Sequence, residues 1–109
     1  MADLEGDRVA QVVIDTTVDP NGVPVIVVSG ELDISNADSL KSAVNSVTAQ
    51  RPDRLIFDLS GLRFMDSAGI AVLIGATTEV SVVHLRNPSE IIKRVVELTG
   101  LSRVLPIEP

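Results

Sequence analysis

The sequence predicts a single α/β domain: a mixed, mostly parallel sheet of four to five strands with about three helices. Three observations predict it. Segments of strand character alternate with segments of helical period in the order β-β-α-β-α-β-α-(β). Such alternation implies parallel strands joined by right-handed crossovers. The length of 109 residues suits one compact domain. The composition is 45% hydrophobic but only 2% aromatic, without Trp or Tyr, so the core is expected to be built from Val, Ile, Leu and Ala.

Each element has its own signal. Val12 to Val18 alternates, with Val12, Ile14, Thr16 and Val18 on one face, and reads as a strand covered on that face. Asp19-Pro20-Asn21-Gly22 is a turn signal, so the strand is expected to form an antiparallel hairpin with the next. Val23 to Val28 is almost wholly apolar, as in a central strand buried on both faces. Ser29 to Ser35 reads as a loop, and Ser35 with Asp38 resembles a capping box. Ala37, Leu40, Ala43, Val44 and Val47 then share one helical face, and this helix should stop before Pro52.

Leu55 to Leu59 reads as the third strand and Ser60 to Ser67 as the loop after it. Asp66 or Ser67 opens a second helix, with Ile70, Leu73 and Ile74 inward. Val80 to Leu85 is the fourth strand. Asn87-Pro88-Ser89-Glu90 then reads as a helix start with Asn87 as cap, and Gly100 as the residue just past that helix. Val104 to Ile107 adds a short strand, which Pro106 confines to an edge. The domain is expected to span residues 9–107, behind a polar tail at residues 1–8.

Composition narrows the function. A net charge of −6 disfavours binding to nucleic-acid phosphates, and the lack of Trp and Tyr disfavours base stacking. The absence of cysteine excludes disulfides, thiolate metal sites and thiol redox chemistry. The acidic N-terminus reads as neither signal peptide nor anchor, and no apolar run reaches the ~18 residues of a membrane span. The expectation is a cytoplasmic protein with no membrane association, cofactor, metal or small-molecule substrate.

The candidate chemistry lies at the ends of strands two and three, where parallel α/β sheets place their functional loops. Ser67 falls at a helix N-terminus, where free N–H groups and the positive dipole end can accommodate an anion. It reads either as a helix cap or as a phospho-acceptor, whose phosphate would change the local charge by roughly −1.5 to −2. Asp58 and Asp66 could be a carboxylate pair, but Asp66 is more simply an N-cap, and Asp58 inside a strand needs a partner. A nucleophilic serine would need Gly-x-Ser-x-Gly and a histidine base, whereas Met65-Asp66 precedes Ser67 and the lone His84 belongs to the fourth strand. No catalytic residues are therefore assigned. Gly30-Glu31-Leu32-Asp33 reads either as a plain turn or as one wall of a docking surface beside Ser67. Of Leu62, Phe64 and Met65, at least two should anchor the chain to the core, leaving one for an apolar contact patch.

Gly30-Glu31-Leu32-Asp33, Leu55-Ile56-Phe57-Asp58-Leu59-Ser60 and Phe64-Met65-Asp66-Ser67-Ala68-Gly69 together resemble the STAS domain, and more narrowly the bacterial anti-sigma-factor antagonists. The resemblance covers about Val9 to Ile107. It implies a partner-switching cycle. The unmodified antagonist binds an anti-sigma factor, a serine kinase of the histidine-kinase-like ATPase type, and releases the sigma factor. Phosphorylation of the serine matching Ser67 ends the complex, and a PP2C-type phosphatase restores it. Gly30, Glu31, Leu32, Asp33, Asp66, Ser67, Ala68 and Gly69 are the implied partner-binding residues. Against the resemblance, the second helix is expected to be short by about two turns, since only Ala76 to Glu79 separate the apolar stretch from Val80. The competing reading is a STAS scaffold or accessory subunit of a stress-sensing or transport complex, without phospho-switching.

Overall fold

The computed structural model describes residues 10–108; the polar tail expected at 1–8, and Val9, lie outside the described residues. The order is β1 (Val12–Val18), β2 (Pro24–Leu32), α1 (Ala37–Thr48), β3 (Arg54–Met65), α2 (Ser67–Glu79), β4 (Val82–Arg86) and α3 (Glu90–Leu98). The strands lie side by side as β1-β2-β3-β4. The β1–β2 pair is antiparallel, and β2–β3 and β3–β4 are parallel. The short strand read over Val104 to Ile107 does not form: residues 102–104 turn, and the segment meets β4 only in an isolated parallel bridge from Leu85 to Ile107.

The hairpin forms because the Asp19 carboxylate accepts the N–H groups of Asn21 and Val23 and so closes the turn. Leu55, Ile56 and Phe57 are buried in succession. Neighbouring strand residues face opposite ways, so β3 is covered on both faces. Helices α1 and α2 pack on each other, while α3 packs on β3. The core is largely aliphatic, as expected, with Phe57 and Met65 added to it.

Several expectations need correction. In β1 only Val12 and Ile14 are half-buried, while Thr16 and Val18 are exposed, because β1 is the edge strand and its far half extends beyond the core. Strands β2 and β3 do not stop at Val28 and Leu59. Both continue, to Leu32 and Met65, through register shifts between Val27 and Ser29 and between Gly30 and Glu31. Bulges admit the Ser and Gly residues that read as loop. The Ser35–Asp38 capping box does not form, since the Ser35 hydroxyl donates to Asp33 Oδ1 at 2.6 Å. Val80 ends α2 rather than starting β4.

Asn87 is not the cap of α3 either. It adopts a left-handed φ of 50°, and the Ser89 hydroxyl caps the helix by accepting from Ile92 N at 3.3 Å. The end of α3 follows its reading. Gly100 N donates to Glu97 O and Leu101 N to Val96 O, the paired bonds of a Schellman motif. The polar residues Thr77 to Glu79 are the last turn of α2, which runs for 13 residues.

Candidate functional site

The extended strands bring the two candidate segments into contact. Glu31 pairs with Phe64 and Leu32 with Met65, and Asp66 N donates to Leu32 O at 3.1 Å. Gly30–Asp33 and Asp66–Gly69 therefore form one edge of the molecule. Gly30 makes the bend possible: its φ is +96°, and a Cβ there would lie 2.2 Å from Gln11 O. The same close approach lets Glu31 N donate to Gln11 O at 2.8 Å.

Asp66 is the N-cap of α2. Its Oδ1 accepts from Ala68 N at 2.9 Å and from Gly69 N at 3.3 Å. The capping role open to Ser67 is thus already filled. Ser67 is the first helical residue, it is exposed, and its hydroxyl has no hydrogen-bond partner among the described residues. The anion-accommodating N–H groups expected at this end are also partly spent, because Asp66 occupies two of them. A phosphate on Ser67 would stay on the surface beside that carboxylate instead of being absorbed by the helix end.

Gly69 and Leu32 serve this edge from below. Gly69 is buried, and a Cβ on it would come within 2.6 Å of Leu32 Cδ2 and 2.8 Å of Met65 Cγ. Leu32 is 1% exposed. These two seat α2 on the strand ends, with the Leu32 side chain turned into the core. Of Leu62, Phe64 and Met65, the first and last are buried and Phe64 is 48% exposed, as the division of roles required.

Asp33 makes a local turn, accepting from Ser35 N at 2.8 Å. Glu31 pairs with Arg63 at 2.9 Å, and the guanidinium holds its carboxyl below the usual carboxylate range. Three residues were missed by sequence reasoning. Asn36 accepts from Asp33 N and donates to the carbonyls of Glu31 and Ala10, locking the turn to both neighbours. Its position just before a helix was the available signal, but the capping role was read at Ser35 instead. Ile34 is 83% exposed within that turn, an apolar residue in a polar loop. Arg63 gave no signal, since its partner lies on another strand.

The other candidates do not join this edge. Asp58 Oδ1 accepts from Ser60 N at 3.0 Å within β3. Its neighbour in β4, Arg86, is bonded to Glu108. No group of three or more potential metal ligands occurs among the described residues. His84 pairs with Ile56 inside the sheet.

The STAS domain family model matches residues 11–109. The anti-sigma-F factor antagonist RsfB of Mycobacterium tuberculosis is 33% identical over 94 residues, covering 81% of this chain and 75% of the relative. The anti-sigma-B factor antagonist of Listeria monocytogenes is 32% identical over 87 residues, 76% of each chain. A crystal structure of an anti-sigma factor antagonist from Mycobacterium paratuberculosis superposes with a TM-score of 0.82 at 29% identity, covering 91% of this chain and 86% of that one. The chain belongs to the STAS domain family, in its branch of anti-sigma-factor antagonists.

Proposed function

We propose that this protein is an anti-sigma-factor antagonist switched at Ser67. Its unphosphorylated form binds an anti-sigma factor in the cytoplasm and frees the sigma factor. The anti-sigma factor is a serine kinase of the histidine-kinase-like ATPase type, and a PP2C-type phosphatase reverses its action. The protein itself is a binding module and not an enzyme. Gly30, Glu31, Asp33, Asp66, Ser67 and Ala68 form the docking edge, with Leu32 and Gly69 holding it in shape.

One observation carries the reading: Asp66 takes the capping role, which leaves the Ser67 hydroxyl exposed and unbonded at the start of α2. The switch follows from charge. Phosphate adds roughly −1.5 to −2 at a point flanked by Asp66, on an edge that also carries Glu31 and Asp33. Two amide donors at the start of α2, those of Ala68 and Gly69, are engaged by Asp66, so the new charge falls on the partner's surface. Incubation with the cognate anti-sigma factor and ATP tests this. Wild-type protein should take up one phosphate, mapped to Ser67 by mass spectrometry, and Ser67→Ala none. Stable binding to a non-kinase assembly, equal for both forms, would instead favour the scaffold reading.

A further inference from the structure

Strand β4, the outer neighbour of β3, carries a second polar feature. A cavity of about 310 Å³ opens at its outer edge, lined by Ser81, Val83, His84, Arg103 and Val104 among others. Its only charged or titratable lining residues are Arg103 and His84, in a chain of net charge −6. Arg103 is exposed and forms no ion pair among the described residues.

The backbone adds an independent sign. Val82 N donates inward to Asp53 O, whereas Leu85 N and Leu85 O bond outward to Pro106 O and Glu108 N. Alternate strand residues direct their polar groups to the same side, so Val83 N–H points outward like that of Leu85. The C-terminal segment pairs only at Leu85, which leaves Val83 N–H without a protein acceptor among the described residues. Val83 lines the cavity, so this outward N–H is a donor that an acceptor held there can take.

We propose that this cavity is an anion subsite, taking the carboxylate or phosphate group of a small organic molecule. Arg103 supplies the charge, Val83 N–H and the Ser81 hydroxyl supply donors, and Val82 and Val104 offer apolar contact to the rest of the ligand. Thr77 also lines the cavity but is not a donor there, because its hydroxyl is given to Ile74 O at 2.6 Å. The site is independent of Ser67 and of the switch proposed for it.

Amide and imidazole NMR of the labelled full chain tests the subsite, with butyrate, inorganic phosphate and, as a control, butylammonium at matched ionic strength. Concentrations of about 10 mM saturate even a millimolar site. The expected result is a saturating shift of the Val83 amide and the His84 ring with butyrate or phosphate, and none with butylammonium. The better of the two anions identifies the ligand class. In Arg103→Gln, an exposed change that leaves the core intact, affinity should fall at least about tenfold. No saturating shift at Val83 with either anion, or an unchanged response in Arg103→Gln, would overturn the proposal.

Discussion

Asp66 and Ser67 divide between them two roles that a single serine at a helix start often combines. The carboxylate satisfies the backbone, and the hydroxyl is left exposed. Asp66→Ala should therefore cost about 1 kcal/mol, the usual value of a lost N-cap, measured by urea denaturation. Gly69→Ala should cost more, about 1–3 kcal/mol, because its methyl group meets Leu32 and Met65 within 3 Å. Both would weaken partner binding indirectly, by moving the start of α2. The Glu31–Arg63 pair makes a pH prediction. Arg63 lowers the folded-state pKa of Glu31, so the stabilisation is complete above the unfolded-state value and is lost as pH falls through the folded one. Thermal melts of wild type and Arg63→Gln should differ slightly at about pH 7 and converge once the pH falls below the lowered pKa of Glu31. The difference is small because both side chains are solvated.

Most elements were legible in the sequence, and their ends were less so. The alternation at Val12 and Ile14 and the helical spacing of Leu40, Val44 and Val47 come from burial on one face, which periodicity reports directly, whereas the alternation continues to Val18 past the end of the core. The continuation of β2 through Gly30-Glu31-Leu32 and of β3 through Ser60-Gly61 depends on pairing between distant segments. Gly and Ser in a bulge look the same as Gly and Ser in a turn. The caps failed for a related reason. Ser35 and Asn87 each precede a helix, but the Ser35 hydroxyl goes to Asp33, and Asn87 takes a left-handed conformation before Ser89 caps. The C-terminal segment is held to β4 by Arg86–Glu108 and by the backbone bonds at Leu85. Arg86→Ala should loosen that segment, and hydrogen exchange at the Leu85 amide should quicken while exchange in β2 stays slow.

Across the whole molecule, the sheet order β1-β2-β3-β4 explains why one edge carries the candidate switch. Parallel β2 and β3 end side by side, and the chain re-enters the sheet face as α2 from that same point. The meeting of the Asp66-Ser67-Ala68-Gly69 and Gly30-Glu31-Leu32-Asp33 segments was readable because both lie at strand ends, the first just after β3 and the second closing β2. Their separation into surface and support was not, because the inward seating of Leu32 and Gly69 arises only when α2 packs. The exposed Ile34 likewise depends on the turn that Asn36 holds. A rigid aliphatic core beneath an exposed serine suits a switch that changes surface charge without refolding the domain.

The most direct test is calorimetric titration of the cognate anti-sigma factor with three forms of this protein: unmodified, stoichiometrically phosphorylated, and Ser67→Ala. The account predicts that the unmodified and Ser67→Ala forms bind alike. The phosphorylated form should bind at least about 100-fold more weakly, a difference of ~2.7 kcal/mol. Equal affinity of the phosphorylated and unmodified forms would contradict it.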